Sequence, residues 1–259
     1  MVFLTENSIF NTTQHGFREG RSCLSALLSV YDDILLSLAE GSSWVDMIYL
    51  DFAKAFYKVD HGILLHKLRD IGITGRLGVW FYHFLSNRSQ FVRLAGGTST
   101  DGPVTSGVPQ GTVLGPLLFT ILMLNIDAGV RDSRILSFAD DTRLYSDITC
   151  IEHCDLLQSD LTSVYDWAVD NNMMFNSNKF NYICFVVNQS TLSSNAYVDP
   201  DMNLIDHTDH LKDLGIIMSY NCDFEQHILS LCKRGSNLSG WILRTFVSRD
   251  RDTMLTLFK

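Results

Sequence analysis

The sequence predicts an α+β fold. Apolar residues recur at helical spacing in some segments and as short buried runs in others, and the two kinds alternate without the regular spacing of βαβ units. No linker, low-complexity tract or internal repeat interrupts them, and only four prolines occur, three of them at Pro103, Pro109 and Pro116. One continuous unit is therefore expected.

In order, "RSCLSALLSVYDDILLSLAEG" predicts a helix whose apolar face is Leu24, Leu27, Leu28, Tyr31, Leu35 and Leu38, with Gly41 as its stop. "WVDMIYLDF" reads as a buried strand ending at Asp51. "HGILLHKLRDIGI" and "GRLGVWFYHFLSNR" read as two helices, and "QFVRLAGGTSTDGPVTSG" as a hairpin turning at Gly96-Gly97. After a glycine-rich segment, "VLGPLLFTILMLNIDAGV" predicts a buried helix, and "SRILSFADDTRLYSD" two short strands meeting near Asp140-Asp141. A helix follows with Leu157, Leu161, Tyr165 and Ala168 along one stripe, and "NYICFVV" and "LKDLGIIMS" add two strands.

With 46% hydrophobic and 19% charged residues, the composition excludes global disorder. No apolar run reaches the roughly 18–20 residues that span a bilayer. The start, "MVFLTENSIFNTTQ", lacks the charged and long apolar regions of a signal peptide. Of six cysteines, Cys150 and Cys154 in "CIEHC" are the closest group, but no second Cys/His pair has zinc spacing. Reduced thiols in an intracellular protein are expected, which makes Asn87-Arg88-Ser89 a chance glycosylation match. The net charge of −9 gives no support to a nucleic-acid partner. Residues 51–100 nevertheless carry Lys54, Lys58, Lys67, Arg69, Arg76, Arg88 and Arg93 against few acids, enough for a local basic face.

Adjacent carboxylates at Asp140 and Asp141, set between Ile135-Leu136 and Leu144-Tyr145, demand an explanation, because buried anions repel unless a cation accompanies them. A simple turn is one explanation. If the strand ending at Asp51 neighbours this hairpin, three carboxylates converge at one sheet edge, and a hard divalent cation such as Mg²⁺ is the natural counter-charge. Paired ions of that kind serve phosphoryl transfer.

The segments "YLDFAKAFYKVDHGILLHKL", "SGVPQGTVLGPLLF", "SFADDTRLY", "NNMMFNSNKFNYICF" and "LKDLGIIMSYNCDFEQHI" resemble, in order, the palm motifs of reverse transcriptases. The match is nearest to the non-LTR (LINE-type), jockey-like retrotransposon enzymes, and "QHGFREGRS" resembles the segment before their first palm motif. The resemblance implies a polymerase palm, an antiparallel sheet packed on helices, with partial fingers and the start of a thumb. Residues 1–45 would be fingers and palm entry, 46–210 palm, and 211–259 the primer-grip hairpin and start of the thumb.

The resemblance implies that Asp51, Asp140 and Asp141 bind two Mg²⁺ ions, with Mn²⁺ as a possible substitute, and that the Phe52 carbonyl lies beside Asp51. Phe56 would be the bulky residue against the incoming sugar, favouring deoxynucleotides; a core aromatic is the other reading. Pro109, Gln110 and Gly111 would contact nucleotide or template, although "SGVPQGTVLGP" also reads as a structural helix-entry loop. Lys179 would protonate or neutralise departing pyrophosphate, unless it is merely a solvated lysine. Leu214, Gly215 and Ile216 would lie near the tip of the primer grip.

The implied partners are an RNA template, a DNA primer and deoxynucleoside triphosphates, with no membrane. The implied location is intracellular, acting on nuclear DNA and cytoplasmic when bound to element RNA. Tyr57 departs from the family, which has an acid there, and the chain reads as a fragment lacking most of the fingers and the thumb. The expected function is RNA-directed DNA polymerase, and the alternative is a truncated, inactive relic that binds nucleic acid weakly. A palm-type nucleotide cyclase would use similar carboxylates but gives no reason for "GVPQG".

Overall fold

Helix α1 (Cys23–Ala39) starts where Ser22 and Ser25 exchange side-chain-to-backbone hydrogen bonds of 3.1 and 2.9 Å, a reciprocal cap that satisfies two otherwise orphaned amides. Its buried face is Ala26, Leu27, Val30, Tyr31, Ile34 and Ser37, whereas Leu24, Leu28 and Leu35 are exposed. The predicted face is thus met at Leu27 and Tyr31 but not at Leu24, Leu28 and Leu35. The row beginning at Ala26 lets the helix approach the sheet closely, and the bulkier stripe points outward. The computed structural model describes residues 4, 7, 9–186, 196–247 and 250–257.

Strand β1 (Trp44–Leu50) is the middle of a five-stranded sheet. After it come α2 (Ala55–Lys58), α3 (His61–Asp70) and α4 (Gly75–Leu85). Asp60 caps α3, its Oδ1 accepting from the Ile63 amide at 2.9 Å. A nested hairpin pairs β2 (Arg88–Gln90) with β5 (Gly102–Val104) and β3 (Arg93–Leu94) with β4 (Gly97–Thr98). Its turn is Ala95-Gly96, one residue earlier than expected: Gly96 takes a φ of 99°, and Gly97 already pairs with Leu94.

Helix α5 (Leu114–Leu122) is buried along most of its length as expected, but it ends at Leu122, and the rest of the predicted helix, from Met123 to Gly129, is turn. Strands β6 (Arg134–Phe138) and β7 (Asp141–Ile148) form the expected hairpin, and α6 (Glu152–Asp170) buries Leu157, Leu161, Tyr165 and Ala168. Strands β8 (Asn181–Phe185) and β9 (Asp206–His207) complete the sheet in the order β6-β7-β1-β8-β9, antiparallel except for the β8–β9 pair. Val187, the last residue of the predicted "NYICFVV" strand, lies outside the described residues.

The two faces of β1 serve different neighbours because side chains alternate along a strand. Ile48 and Leu50, with Leu144, Ile148 and Tyr182, join a core built with residues of α3, α5 and α6. Met47 pairs across with Tyr145, whose hydroxyl donates to Asp33 of α1. Burial on both sides explains why β1 reads as a continuous apolar run. Each such fully buried side chain contributes about 1.5–3 kcal/mol relative to exposure.

The lack of a linker suggested one continuous unit, but the chain divides into two compact units, Met1–Thr208 and Asp209–Lys259. The second contains β10 (His210–Asp213), β11 (Ile216–Ser219), α7 (Glu225–Thr245) and α8 (Arg251–Leu257). "LKDLGIIMS", read from its apolar pattern as one strand, is a hairpin of β10 and β11. Leu214 and Gly215 turn it with φ of 43° and 93°.

Candidate active site

Antiparallel pairing puts the end of β1 beside the start of β7, and Leu50 faces Thr142 as the last pair of the register. Asp51 follows Leu50, while Asp141 opens β7 and Asp140 occupies the turn before it. The sheet therefore gathers all three acids at one end. Phe138 pairs with Asp141, leaving Ala139-Asp140 as a two-residue turn in which Ala139 has a φ of 57°. The adjacent carboxylates sit at a hairpin turn that faces the end of a central strand.

Burial, and after it the charge of Asp51, pushes the Asp140 carboxyl above its ordinary range. Lys179 opposes that shift, and its Nζ lies 2.9 Å from Asp51 Oδ2. The hydrogen bond and charge of Asp51 raise the Lys179 ammonium above its usual value, though its side chain is 63% exposed. Main-chain ties bring this lysine in: the Asn176 amide donates to the Asp51 carbonyl at 2.8 Å and the Ala53 amide to the Met174 carbonyl at 2.8 Å. Lys179 then closes a 3₁₀ turn, Ser177–Lys179. Nothing in the sequence pattern singled out Met174 or Asn176, because their contribution is made by backbone atoms.

Phe52 is buried and stacks on Phe175 with ring centroids 4.4 Å apart. Phe56 stacks on Phe119 at 4.2 Å and meets Phe17 edge-on at 6.0 Å, so its ring plane is fixed from two sides while remaining partly exposed. The Phe56 carbonyl accepts from the Val108 amide at 3.0 Å, joining it to the loop that carries Pro109, Gln110 and Gly111. Gly107 enters that loop at a φ of 85°, and a Cβ there would lie 2.9 Å from the Tyr57 carbonyl oxygen and 3.0 Å from that of Phe56. Only glycine fits such an approach.

Gln110 and Gly111 are exposed and Pro109 is half-buried. Tyr57, Arg88, Gln90, Pro109 and Gln110 line part of a cavity of about 630 Å³. The Tyr57 hydroxyl donates to Gln110 Oε1 at 3.4 Å, a long bond between exposed groups. Arg88 is turned inward, donating to the Gly107 carbonyl at 3.0 Å and to the Leu85 carbonyl at 3.1 Å. Leu214, Gly215 and Ile216 form the turn and first returning residue of the hairpin in the second unit.

Among the described residues no three His, Cys, Asp or Glu side chains form a group that could hold a metal ion, so the three acids are not a preassembled cage. The donors nevertheless suit a hard cation. Asp51 and Asp140 feel each other's charge, and all the ligands are oxygens. Mg²⁺ binds through one or two carboxylates and completes its shell with waters and substrate phosphates. The six cysteines are free, and no described helix is long and apolar enough to cross a membrane.

The family model described as Reverse transcriptase (RNA-dependent DNA polymerase) matches residues 2–218. The chain belongs to the reverse transcriptase family. It is 30% identical to the RNA-directed DNA polymerase from mobile element jockey of Drosophila funebris over 84% of this chain and 24% of that protein. It is 28% identical to the probable RNA-directed DNA polymerase from transposon BS of Drosophila melanogaster, over 89% of this chain and 26% of that protein. The chain thus spans about a quarter of the length of these curated relatives, which are polymerases of non-LTR retrotransposons.

Its fold resembles apo telomerase from Candida tropicalis, with a TM-score of 0.59 at 11% identity over 86% of this chain and 39% of that one. A telomerase from Candida albicans, solved with a TWJ fragment of telomeric RNA, gives 0.57 at 12% identity over 86% and 37%. These likenesses support the α+β palm architecture. Reverse transcriptases generally use divalent metals.

Proposed function

We propose that this chain carries the nucleotide-adding centre of an RNA-directed DNA polymerase from a non-LTR retrotransposon. The observation that carries the reading is the placement of Asp51, Asp140 and Lys179 at one end of the sheet, with Asp51 and Lys179 2.9 Å apart. Its substrates are an RNA template, a DNA primer and deoxynucleoside triphosphates. The primer 3′-oxygen forms a bond to the α-phosphorus, the bond to pyrophosphate breaks, and the hydroxyl proton passes to solvent water. Asp51 and Asp140, joined by Asp141, would hold two Mg²⁺ ions, with Mn²⁺ able to substitute. When bound, such ions activate the attacking hydroxyl and neutralise charge on the phosphate oxygens.

The side chains supply the rest. Lys179 keeps its proton because the Asp51 carboxylate beside it favours the ammonium, and from that position it would donate a proton to the departing pyrophosphate or neutralise its charge. Phe56, braced by Phe119 and Phe17, presents a rigid wall that would clash with a ribose 2′-OH. Gln110 offers a donor and an acceptor from an exposed loop. Leu214, Gly215 and Ile216 would guide the primer end. The reading carries with it action on nuclear DNA and passage through the cytoplasm with element RNA.

The alternative, an inactive relic, draws on Tyr57, which places an aromatic ring where the family has an acid and reaches toward Gln110. Primer extension on an RNA template decides between them, using the full-length polymerase that contains this segment. Extension by the unaltered chain and its abolition by Asp140→Asn, with the circular dichroism spectrum intact, is the expected result. Extension by Asp140→Asn at the unaltered rate removes the assignment, and no extension by the unaltered chain favours the relic.

A further inference from the structure

We propose that Gln14 is a positioning residue for the Asp140 carboxylate, acting through the backbone of Ala139. The segment around it touches β6 through a single parallel β-bridge: the Ser137 amide donates to the Thr13 carbonyl at 2.9 Å and the His15 amide to the Ser137 carbonyl at 2.8 Å. From there the buried Gln14 side chain crosses to the β6–β7 turn. Its Oε1 accepts from the Ala139 amide at 2.9 Å, and its Nε2 donates to the Ala139 carbonyl at 3.1 Å. One side chain, 125 residues distant in sequence, thereby makes both hydrogen bonds that a neighbouring strand would make to that residue.

Two further features tighten the contact. The Gly16 amide donates to the same Oε1 at 2.7 Å, fixing the orientation of the Gln14 amide. A Cβ on Gly16 would lie 2.3 Å from the Ala139 nitrogen and 2.9 Å from its Cα, so the two backbones touch. Ala139 in turn holds a φ of 57° at the first position of a two-residue hairpin turn, where glycine is the usual occupant. An alanine there relaxes out of the left-handed region unless its surroundings hold it. The conformation of Ala139 sets the direction in which the next residue, Asp140, leaves the chain. Gln14 and Gly16 supply the surroundings.

The inference rests on the reading that Asp140 serves nucleotide addition. Its test uses the full-length polymerase containing this segment. Gln14→Met keeps the length of the side chain and removes both hydrogen bonds. The expected result is a fall in kcat of about 100-fold, the scale on which small displacements of reacting groups act, with the KM for deoxynucleotide within about twofold. Hydrogen exchange at the Ala139 amide accelerates at least about tenfold, while the amides of β1 keep their protection. Adding Ala139→Gly, which adopts the turn without support, recovers kcat at least about fivefold.

An unchanged kcat in Gln14→Met overturns the inference while leaving the polymerase reading in place. So does a parallel loss of β1 protection, which would mark general loosening, or a failure of Ala139→Gly to recover kcat. If Gln14→Met does not fold, Gln14→Glu keeps an acceptor for the Ala139 amide and loses the donor to its carbonyl; unchanged kcat in that variant overturns the inference equally. Absence of extension by the unaltered chain removes the polymerase reading, and this inference falls with it.

Discussion

At the scale of single residues, the centre joins a mutually favourable pair, Asp51 and Lys179, to a carboxylate, Asp140, whose charge its surroundings disfavour. Asp140 has its pKa raised by burial and by Asp51, so its ionised form destabilises the metal-free fold. The sign follows from linkage. Because the folded value lies above the unfolded one, stability is fully present below the ordinary aspartate range near 3.8 and is lost as pH rises through the folded value. Without divalent metal, Asp140→Asn is therefore expected to melt at a higher temperature than the unaltered chain at pH 7, and at the same temperature at pH 3. Thermal unfolding in chelator at the two pH values measures this, and a lower melting temperature for the variant at pH 7 would contradict it. The three acids were legible in sequence because they are side chains in ordered motifs. The tie from Asn176 to Asp51 was not, since any residue can donate a backbone amide.

At the scale of elements, strand register and loop entry decide whether those side chains meet. The β1–β7 register was foreseeable only as a condition, because an apolar run gives a strand but not its partner. Periodicity located α1 and placed Leu27 and Tyr31 correctly in the core, yet added the outward Leu24, Leu28 and Leu35 and missed Ala26, since hydrophobic weight alone cannot weigh a small residue on the buried side. The glycines of the "SGVPQG" loop differ in a way that spacing does not show. Gly107 combines a φ of 85° with carbonyl oxygens 2.9–3.0 Å from a would-be Cβ, whereas Gly111 has a φ of 74° and open space around it. Alanine at 111 should cost only the left-handed conformation, about 1–2 kcal/mol. Alanine at 107 must also displace the backbone of Phe56 and Tyr57, and should cost at least about 1 kcal/mol more. Urea unfolding of Gly107→Ala and Gly111→Ala compares them directly, and equal losses would show that the loop yields freely.

At the scale of the whole molecule, charge and size set what residues 1–259 can do by themselves. Acids outnumber bases 29 to 20, giving −9, and a field of that sign repels nucleic acid at long range. Local bases work against it, but Arg88 donates to the Gly107 and Leu85 carbonyls, and Lys67 donates to the Leu122 and Leu124 carbonyls, so part of the basic inventory is committed to holding loops and helix ends. Lys54, Lys58, Arg69, Arg76 and Arg93 are exposed in the first unit, and Lys233 and Arg234 are exposed on α7 in the second, and such side chains remain for phosphates. Each phosphate neutralised by a lysine or arginine adds roughly 0.9 to the slope of log affinity against log salt for duplex, and less for single strands. A few such contacts predict a slope of about −2 to −4 and weak, micromolar-range binding of a primer–template by these residues alone. Fluorescence anisotropy between 50 and 200 mM salt, roughly the range over which phosphate contacts are lost, measures both quantities. Tight binding that persists across that range would mean that base stacking or shape, and not phosphate contact, holds the duplex, with the exposed Tyr57 ring beside Gln110 as a stacking surface.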